Sequence, residues 1–587
     1  MFSKVLVANR GEIAVRVMRT LEELGIGSVA VYSEPDRDAP HVKRADEAYL
    51  IGPGPAAESY LVVEKILEVA EKAGAEAVHP GYGFLAENAA FSRACDEAGV
   101  TFIGPGPDAI DAMGSKTKAR ELMQEAGVPI VPGTTDPVET VEDAKKIIDE
   151  DIGYPVAIKA AGGGGGKGFA VAESEDKLEE AFERAAREGE KFFADSTVYL
   201  ERYLPDPRHV EVQVLADSHG NVVHLFERDC SVQRRHQKLI EESPAPAVDP
   251  DLREKIGKIG TDAAKAVDYR SAGTIEGLLQ DGEYFFLEMN TRVQVEHCVT
   301  EMVTGIDIVR EQVKIAAGEE LSFGQDDIVI RGHAIECRIN AEDASKNFAP
   351  APGKVGHYVE PAGPFVRVDS GAEEGYEVLP LYDPMIAKLI VWDVDRVAST
   401  KRMLRALGEY EIGGLKTLIP FHQALLDTEQ WGNGETCRDL IEDKKWLKEL
   451  AFPKPEKKDD EEAEDESVER EYAVEVSGRK FDVKVIGPPA SPNGAAAGPV
   501  KKPPQRRERG AGGGGGAPGE LVSPLQGTVL KVAVEKGADV DEGALICVIE
   551  AMKMENEITA PSSGTIEELG VSEGGAIATG DTIAVIK

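Results

Sequence analysis

The segment Glu550-Ala551-Met552-Lys553-Met554-Glu555-Asn556 lies at the centre of an internal repeat near the C-terminus. Residues 523–550 coincide with residues 560–587 when they are moved forward by 37 positions. Glycines and short apolar runs match between the copies, as Gly527 does with Gly564. This pattern predicts two copies of a small β-unit, which would bury each other's apolar faces in a flattened barrel or sandwich.

Lys553 lies where one copy passes to the next, and a tight turn there would hold its amine in solvent. On spacing alone, a surface lysine between two inward-packing methionines is the more common interpretation. The run Ala551-Met552-Lys553-Met554, however, resembles the attachment signature of biotin carboxyl carrier domains. The resemblance implies an all-β biotinyl domain over residues 520–587, with biotin joined to Lys553 by a biotin protein ligase. The lipoyl domain shares this fold but usually lacks methionine on both sides of its lysine.

Length and composition limit the classes of protein to which this chain can belong. Its 587 residues are enough for about four domains, and 42% apolar residues support hydrophobic cores. No apolar run approaches the ~18 residues of a membrane helix, and we expect no signal or transit peptide. The six cysteines are scattered, which argues against disulfides or a zinc site and favours a reducing, cytoplasmic location.

The chain is strongly acidic, with 106 acidic and 66 basic residues and a net charge of −40. This excess disfavours nonspecific nucleic-acid binding, which depends on basic patches. The acidic residues are spread along the chain as well as concentrated in one run. We therefore expect a solvated acidic surface suited to high salt, as in a halophilic protein.

Strand and helix patterns alternate at the N-terminus. Residues 4–8 and 28–33 predict the first two strands, and residues 75–78 predict a third. The alternation predicts a doubly wound α/β domain over residues 1–113. The loop His79–Phe84 follows the third predicted strand, where open α/β sheets bind ligands, but a plain Gly/Pro turn is an equally good interpretation.

A run of five glycines, Gly162–Gly166, follows a predicted strand at Tyr154–Lys159. Glycines leave backbone N–H groups free to surround a polyphosphate, and Lys167 adds positive charge. The G-K-[ST] ending of a Walker loop is missing. Because the apolar residues Phe169–Ala172 follow, we interpret the segment as a mobile hairpin lid. A second glycine run, Gly512–Gly516, lies among Pro and Ala and is typical of a linker.

Two glutamates, Glu276 and Glu288, lie in apolar runs separated by the turn Gln280–Glu283. A hairpin would bring the two carboxylates together, which is costly in a sheet unless a cation lies between them. Oxygen ligands of this kind suit Mg²⁺, and Asn290 can supply another oxygen from the same face as Glu288. The alternative is a pair of solvated carboxylates at a sheet edge.

Polar residues alternate with apolar ones from Glu288 to Glu296, in the run Glu-Met-Asn-Thr-Arg-Val-Gln-Val-Glu. If the run is a strand, its spacing places five functional side chains on one face. A half-buried strand normally carries apolar residues on such a face, so a structural role alone does not explain the pattern. We interpret the run as part of a binding or catalytic surface.

With these features in view, residues 1 to about 450 resemble biotin carboxylase, of the ATP-grasp superfamily. An ordered series of matching stretches carries the resemblance: Arg10–Glu12, His79–Phe84, Met113–Gly114 with Lys116, Gly162–Gly166, Glu201–Leu204, Arg208–Glu211, Arg228–Ser231, Gln233–Lys238, Glu288–Glu296 and Arg338–Glu342. Departures occur at Ala86, Phe169, Gly277 and Cys298, where the family usually has Ser, Met, an aromatic residue and Pro. None of them removes a residue that carries chemistry.

The resemblance implies roles around two small substrates. Bicarbonate would be held by Lys238, Arg292, Gln294 and Val295, with Glu296 as the general base. Arg338 would face the biotin ureido oxygen, and Tyr82 would lie near the biotin pocket.

It also implies a nucleotide and metal site. The ATP phosphates would be held by Lys116, Lys159, Gly164, Gly165 and Gly166, the adenine would be bordered by Glu201, Arg202, Tyr203 and Leu204, and the ribose side would be lined by His209, Gln233 and His236. Glu276, Glu288 and Asn290 would bind Mg²⁺ or Mn²⁺.

The remaining domains follow from the same resemblance and from composition. Residues 114–330 would form the ATP-grasp domain and residues 331–447 a mixed α+β C-terminal domain of biotin carboxylase. Residues 448–519 are expected to be a flexible linker, rich in Pro, Ala and Gly toward its end, that carries biotin between two active sites. Within it, residues 456–471 hold ten acidic and three basic residues, typical of a solvated, disordered run. Residues 472–485 predict a short hairpin that could dock a partner.

The resemblance implies that this chain carboxylates biotinyl-Lys553 with ATP and bicarbonate, through a carboxyphosphate intermediate. No remaining segment is large enough for a carboxyltransferase, so we expect a separate carboxyltransferase (beta) subunit, with the chain as a homo-oligomer in a hetero-oligomeric complex. The arrangement suits the alpha subunit of an acetyl-CoA or propionyl-CoA carboxylase; pyruvate is the alternative acceptor.

Two alternative functions fit the sequence less well. Another ATP-grasp ligase with a lipoyl-like tail is disfavoured by the run from Lys238 through Glu296 and by the methionines around Lys553. A non-catalytic biotinylated scaffold is disfavoured because every charged residue that the mechanism needs is present.

Overall fold

The computed structural model describes residues 1–134, 136–164, 167–193, 196–451, 468–476, 479–487, 520–523, 527–541, 543–551, 554–572, 575–577 and 581–587. They divide into two units, Met1–Leu450 and a second unit made of Ala451–Ala551 and Glu555–Lys587. Among the helices described, none is both long and apolar enough to cross a membrane.

Five parallel strands form the N-terminal sheet, in the spatial order Glu47–Gly52, Gly27–Ser33, Lys4–Val7, Ala77–His79 and Thr101–Phe102. The helices between and after them are Gly11–Glu23, Pro40–Arg44, Val63–Ala73, Ala89–Glu97 and Pro107–Gly114. Alternate residues of the central strand enter different cores, Val5 and Val7 one and Leu6 the other. Both faces are therefore covered, as expected of a doubly wound sheet.

All three predicted strands are present, but the one predicted at residues 75–78 is the fourth strand of the chain and not the third. Glu47–Gly52 precedes that strand in the chain, and the later strand is Ala77–His79. Ile51 is the one fully buried residue of Glu47–Gly52, because this strand lies at the edge of the sheet. An edge strand needs no long apolar run, and the pattern was therefore missed.

A sheet of eight antiparallel strands forms the centre of the first unit. Its spatial order is Glu283–Asn290, Ser271–Gln280, Arg208–Ala216, Val222–Arg234, Gln237–Ser243, His333–Asn340, Met385–Asp393 and Val366–Ser370. The helices Pro250–Ala266, His297–Thr304, Ile308–Ala316 and Arg396–Glu409 pack on it. The sheet is continuous across the boundary expected at residue 330, so residues from both sides of that boundary can contribute to one site.

A separate three-stranded sheet has the order Lys167–Ala172, Val156–Gly164 and Val198–Arg202. The first two of these strands are the predicted hairpin. The helices Val141–Ile147 and Glu175–Phe193 cover it, and Val156, Ile158 and Phe182 belong to its core. This small core is distinct from those of the larger sheets.

Short elements complete the first unit. Three two-stranded pairs join Glu342–Asp343 with Ala349–Pro350, Gly353–Lys354 with Glu377–Val378, and Tyr358–Val359 with Glu411–Ile412. The other helices are Lys116–Glu125, Ile419–Leu426, Glu429–Gly432, Arg438–Glu442 and Lys444–Glu449. The last four of these helices contribute buried residues to one core, and Phe421 and Trp431 are the largest of them.

The second unit contains the repeat and a hairpin. Two four-stranded sheets have the orders Glu520–Val522, Thr582–Ile586, Gly564–Leu569, Asp539–Val540 and Met554–Thr559, Leu545–Ala551, Gly527–Val532, Ala576–Ile577. Ile546 and Ile583, which match in the repeat, lie in one core. The two copies therefore bury a shared apolar interior, as predicted.

The hairpin consists of Val468–Val476 paired with Arg479–Gly487. The expectation of disorder for residues 456–471 was therefore wrong for the last four of them, Val468–Glu471, which belong to the first strand. Cross-strand pairing places Glu471 opposite Lys484, an opposite-charge pair that favours this register. Residues 456–467 lie outside the described residues.

Candidate active site

The hairpin predicted around Glu276 and Glu288 is present as Ser271–Gln280 paired with Glu283–Asn290. It forms one edge of the eight-stranded sheet. Its register places Glu276 directly opposite Glu288, and a bulge follows between Glu276 and Gly277. Asn290 Nδ2 donates to Oε1 of Glu276 at 2.8 Å. The hairpin therefore gathers the three predicted metal-ligand residues.

Gly277 departs from the aromatic residue of the family, and Tyr284 explains how the strand tolerates it. A Cβ atom at position 277 would lie 2.2 Å from Cζ of Tyr284. The buried Tyr284 hydroxyl donates to the Ile275 carbonyl at 3.2 Å. The Tyr284 ring thus occupies the space beside Gly277 and keeps the strand next to Glu276 packed.

Beside the hairpin lies a cavity of about 530 Å³. Twelve of the sequence-predicted site residues line it: His209, Gln233, His236, Lys238, Glu276, Glu288, Asn290, Arg292, Gln294, Val295, Glu296 and Arg338. Gln237 and Leu287 complete the wall. Residues from several strands of the sheet and from the segment after the hairpin meet here.

Lys238 is the cation at the centre of this group. Its Nζ donates to Oε2 of Glu211 at 2.6 Å, to Oε1 of Glu276 at 2.8 Å and to Oε1 of Glu296 at 2.6 Å. Burial alone would lower the pKa of Lys238, but these carboxylates hold it well above its usual value. Lys238 therefore stays charged.

Glu296 lies between two cations, since Arg338 Nη2 donates to its other oxygen, Oε2, at 2.9 Å. Burial would raise the pKa of Glu296, but Lys238, Arg338 and Arg228 hold it well below the usual range. Glu241 accepts from Arg338 Nε at 2.6 Å and fixes the guanidinium from another side. Glu296 is thus an ionised carboxylate with a cation bound to each of its oxygens.

The strand predicted over residues 288–296 was only partly right, because Glu283–Asn290 ends at Asn290 and a loop follows. In that loop the Thr291 amide donates to Oε1 of Glu87 at 3.1 Å, and Arg292 Nε donates to its Oε2 at 2.8 Å. A flat strand would spread alternate side chains along one line, whereas this loop folds them toward one cavity. The alternating residues all line the cavity, but the backbone after Asn290 is a loop and not the strand that the alternation predicted.

Sequence reasoning left out two residues that organise the site. Glu211 is fully buried and binds Lys238, and it also accepts from Arg228 Nε at 2.6 Å. Arg228 in turn donates to Oε1 of Gln294 at 3.1 Å. Glu211 lies two residues after His209 on the same strand, so the shared face was a signal that could have found it.

The described residues predicted to hold the phosphates and to border the adenine lie in or next to the three-stranded sheet and do not line this cavity. Lys159 and Glu201 lie on neighbouring strands of the three-stranded sheet, with Lys159 Nζ 2.5 Å from Oε1 of Glu201. Arg202 Nη1 donates to Glu283 at 3.0 Å, and the Tyr203 ring lies 6.4 Å from that of Phe169, which replaces the usual Met. Leu204 lies two residues after the end of the strand Val198–Arg202. Gly164 is the last residue of the strand Val156–Gly164, the first strand of the lid hairpin. Gly165, Gly166, Lys553 and the Lys116 side chain lie outside the described residues.

Tyr82 lines a second cavity, of about 320 Å³, rather than the cavity beside the hairpin. Its hydroxyl donates to Oε1 of the buried Glu12. Asn9 Nδ2 donates to the carbonyls of Pro80 and Tyr82, both at 2.7 Å, and ties the two N-terminal loops together. Tyr82 and Glu12 therefore form the wall of a neighbouring pocket.

The donor atoms of Glu276, Glu288 and Asn290 fit a hard divalent cation. They offer carboxylate and amide oxygens, and the direct opposition of two carboxylates across a strand pair is what a cation would relieve. The pKa of Glu276 is held well below its usual range: burial would raise it, but Lys238 and His209, whose Nε2 lies 2.9 Å away, lower it. Glu276 is therefore an ionised carboxylate, the form in which it could bind a cation.

Four family models match the chain. They are described as the biotin carboxylase N-terminal domain over residues 1–110, the ATP-binding domain of the carbamoyl-phosphate synthase L chain over residues 115–323, the biotin carboxylase C-terminal domain over residues 336–443 and the biotin-requiring enzyme domain over residues 517–586. Fold and site together define a biotin-dependent ligase with an ATP-grasp domain.

Individual proteins agree with this class. A pyruvate carboxylase subunit of Methanothermobacter thermautotrophicus is 55% identical over 76% of this chain and 90% of its own length. Biotin carboxylase 1 of Bacillus subtilis is 55% identical over 75% of this chain and 98% of its own. The biotin carboxylase domain dimer of Hydrogenobacter thermophilus 2-oxoglutarate carboxylase, solved with MgADP, ADP and bicarbonate, superposes with a TM-score of 0.68 and 49% identity over 77% of this chain and all of its own. The chain belongs to the biotin carboxylase family, with a biotin-lipoyl domain on the same polypeptide.

Proposed function

We propose that this chain carboxylates biotin on Lys553 with ATP and bicarbonate, and that it delivers the carboxyl group to a separate carboxyltransferase subunit. The observation that carries this proposal is the cluster of Lys238, Arg292 and Arg338 around the ionised Glu296 in one cavity. Three cations beside a single carboxylate suit a small oxyanion that must be bound and deprotonated.

In the first step, bicarbonate, a poor nucleophile, is held in line with the γ-phosphate of ATP by Lys238, Arg292, Gln294 and Val295. Glu296 takes the bicarbonate proton as the bicarbonate oxygen attacks phosphorus and the bond to ADP breaks. Carboxyphosphate forms, and its breakdown gives CO₂ next to phosphate. The phosphate takes the proton of the biotin ureido nitrogen, and this nitrogen bonds to the carbon of CO₂. Arg338 faces the ureido oxygen and stabilises the negative charge that develops there.

Glu276, Glu288 and Asn290 would hold Mg²⁺ or Mn²⁺, and a bound cation would supply charge neutralisation at the phosphate oxygens. Lys116, Lys159 and the glycine lid would hold the ATP phosphates. Residues 201–204 would border the adenine, while His209, Gln233 and His236 would face the ribose. The hairpin form of the lid, with Lys159 on its first strand, supports this assignment.

For the acceptor, we propose an acyl-CoA, acetyl-CoA or propionyl-CoA, bound by the carboxyltransferase subunit. Pyruvate is a second candidate, and the 55% identity to a protein named as part of a pyruvate carboxylase favours it. The long interval between the matched C-terminal domain and the biotin-requiring domain, residues 444–516, supports delivery by a swinging arm. We also propose a homodimer, since a relative 49% identical is described as a biotin carboxylase domain dimer.

The test is ATP cleavage by the purified biotinylated chain in high salt with Mg²⁺, with and without bicarbonate and free biotin. Dependence on both establishes the carboxylation. Cleavage indifferent to bicarbonate would point to another ATP-grasp ligase, and no cleavage by folded, biotinylated chain would point to a scaffold. Transfer of labelled carboxyl to acetyl-CoA, propionyl-CoA or pyruvate, with candidate carboxyltransferases added in turn, then separates the acceptors.

A further inference from the structure

A buried lysine outside the cavity contacts the loop that carries Glu296. Lys388 lies on the strand Met385–Asp393, and its side chain has 0% exposure. Its ammonium donates to the Val295 carbonyl at 2.7 Å and to Sγ of Cys298 at 3.1 Å. Val295 lines the cavity and immediately precedes Glu296. Lys388 itself does not line the cavity.

Two carboxylates balance the charge of Lys388. Oε1 of Glu12 lies 3.5 Å from its Nζ, and Oδ2 of Asp369 lies 4.0 Å away. Glu12 also accepts the Tyr82 hydroxyl, and both of these residues line the second cavity. Lys388 therefore lies between the loop of the first cavity and a wall residue of the second.

The loop needs such a partner because it leaves the sheet. After Asn290 its carbonyls no longer belong to a strand ladder, and a buried carbonyl without a donor is unfavourable. Glu87 holds the start of the loop through Thr291 and Arg292, whereas Lys388 holds its end through Val295. The loop is thus fixed at both ends by side chains from distant parts of the chain.

Packing alone does not account for a charged residue at this position. A buried ammonium is costly, and an apolar side chain of similar volume would fill the same space without that cost. The charge is useful where it can donate a hydrogen bond in a fixed direction, as it does to the Val295 carbonyl. We therefore relate the unfavourable burial of the Lys388 charge to its hydrogen bond with the loop.

We propose that Lys388 is a positioning residue for the bicarbonate step: it fixes the Val295 carbonyl and so sets the position of Glu296 in the cavity. The inference rests on the proposed role of Glu296. In this proposal Lys388 does not contact ATP, bicarbonate or biotin, and it acts through the loop. It also joins that loop to Glu12 and Tyr82, so that the two cavity walls share one support.

The test compares Lys388→Met with Arg253→Met in the full biotinylated chain. Arg253 also binds a buried carboxylate, since its Nε donates to Glu227 at 3.0 Å. Arg253 and Glu227 do not line the cavity. For Lys388→Met we expect kcat/KM for bicarbonate to fall about 10²-fold, as a misplacement of about 1 Å does in a preorganised site, while KM for ATP changes less than about twofold. Arg253→Met should leave both constants unchanged.

Unchanged bicarbonate kinetics in folded Lys388→Met would overturn the proposal, as would equal losses for bicarbonate and ATP. If Lys388→Met does not fold, the double variant Lys388→Met/Glu12→Gln removes the anion together with the cation. The same loss for bicarbonate is expected of it. Failure of the double variant to fold would also count against the proposal, because Lys388 would then serve the stability of the whole domain.

A second readout does not depend on catalysis. The His297 amide donates to the Gln294 carbonyl and the Val299 amide to the Glu296 carbonyl, both at 3.3 Å. Hydrogen exchange at these amides should speed up at least about 10-fold in Lys388→Met and not in Arg253→Met. An inactive wild-type chain would overturn the proposed function, whereas equal exchange in both variants would overturn the role of Lys388.

Discussion

The guanidinium of Arg338 donates to Oε2 of Glu296 at 2.9 Å, although 42 positions separate the two residues in the chain. Glu296 belongs to the loop after the hairpin and Arg338 to a strand beyond the expected boundary at residue 330. The contact keeps the carboxylate ionised and leaves its other oxygen to Lys238. Removal of the Glu296 charge should therefore affect the proton-transfer step more than the binding of ATP.

We expect Glu296→Gln to lower bicarbonate-dependent ATP cleavage by about 10²–10⁴-fold, the usual contribution of a general base. The affinity for ATP, measured by calorimetry, should stay within a few-fold of wild type. Glu311→Gln is the matched control, because Glu311 is also a buried glutamate bound to a lysine, Lys314 at 2.8 Å, but lies outside the cavity. Normal turnover by Glu296→Gln would remove its assignment as the base.

Glu288→Gln should raise the Mg²⁺ concentration for half-maximal ATP cleavage by at least about 10-fold, since a metal ligand is altered directly. Chelation of the metal should abolish cleavage in wild type. Glu283→Gln serves as the control, because Glu283 lies on the same strand but is exposed and contacts Arg202. Identical Mg²⁺ titrations for the two variants would contradict the assignment of the metal site.

Glu336 is a carboxyl group whose removal should stabilise the protein. It lies opposite Glu241 on paired strands, it is fully buried, and neither of its oxygens has a hydrogen-bond partner among the described residues. Burial, and then the charges of Glu241 and Glu296, raise the pKa of Glu336 well above its usual value, against the opposing effect of Lys388. A raised pKa means that stability is present below the unfolded-state pKa and is lost as the pH rises through the folded-state pKa.

At pH 8, Glu336→Gln should therefore increase the free energy of unfolding, by on the order of 1–3 kcal/mol, and flatten its pH dependence. Denaturant titrations at pH 5 to 9 measure this. Glu242→Gln should do the opposite: burial would raise the pKa of Glu242, but His333 at 2.8 Å and Arg396 at 2.6 Å hold it below the usual value. A destabilised Glu336→Gln would show that this carboxyl is charged and paired in the folded protein.

Lys553→Arg should abolish biotin incorporation, seen as loss of the streptavidin signal. Because position 553 falls in the match to the biotin-requiring enzyme domain, residues 517–586, and outside the matches that contain the cavity residues, ATP cleavage driven by free biotin should continue at the wild-type rate. Lys531→Arg, a substitution of an exposed lysine in the same domain, should keep the biotin. Biotin retained in Lys553→Arg would place the attachment at another lysine.

The net charge of −40 predicts that salt stabilises the fold. Screening shortens the reach of repulsion between acidic groups from about 10 Å at 0.1 M salt to about 3 Å at 1 M. We expect the thermal midpoint and the rate of ATP cleavage to rise between 0.1 M and 2 M KCl, with sucrose of equal osmolality as the uncharged control. Equal behaviour in dilute and concentrated KCl would contradict the halophilic assignment.

The sequence alone was sufficient for features that depend on neighbouring residues. The turn at Gln280–Glu283 was enough to predict a local hairpin that brings Glu276 near Glu288. Counting from the turn alone would place Glu276 opposite Leu287, and the bulge between Glu276 and Gly277 moves the pairing to Glu288. The repeat likewise predicted the core shared by Ile546 and Ile583, because the same apolar spacing recurs in both copies. Periodicity carries this information, since it reports which face of an element is buried.

Only the tertiary structure decided which distant groups meet. The bonds from Lys238 to Glu211, Glu276 and Glu296 join four segments, and the loop before Glu296 takes its shape from Glu87 and Lys388. Alternation from 288 to 296 resembled a strand, yet a backbone that leaves the sheet must find its hydrogen bonds elsewhere. Those partners are set by packing between domains, and spacing along the chain contains no record of them.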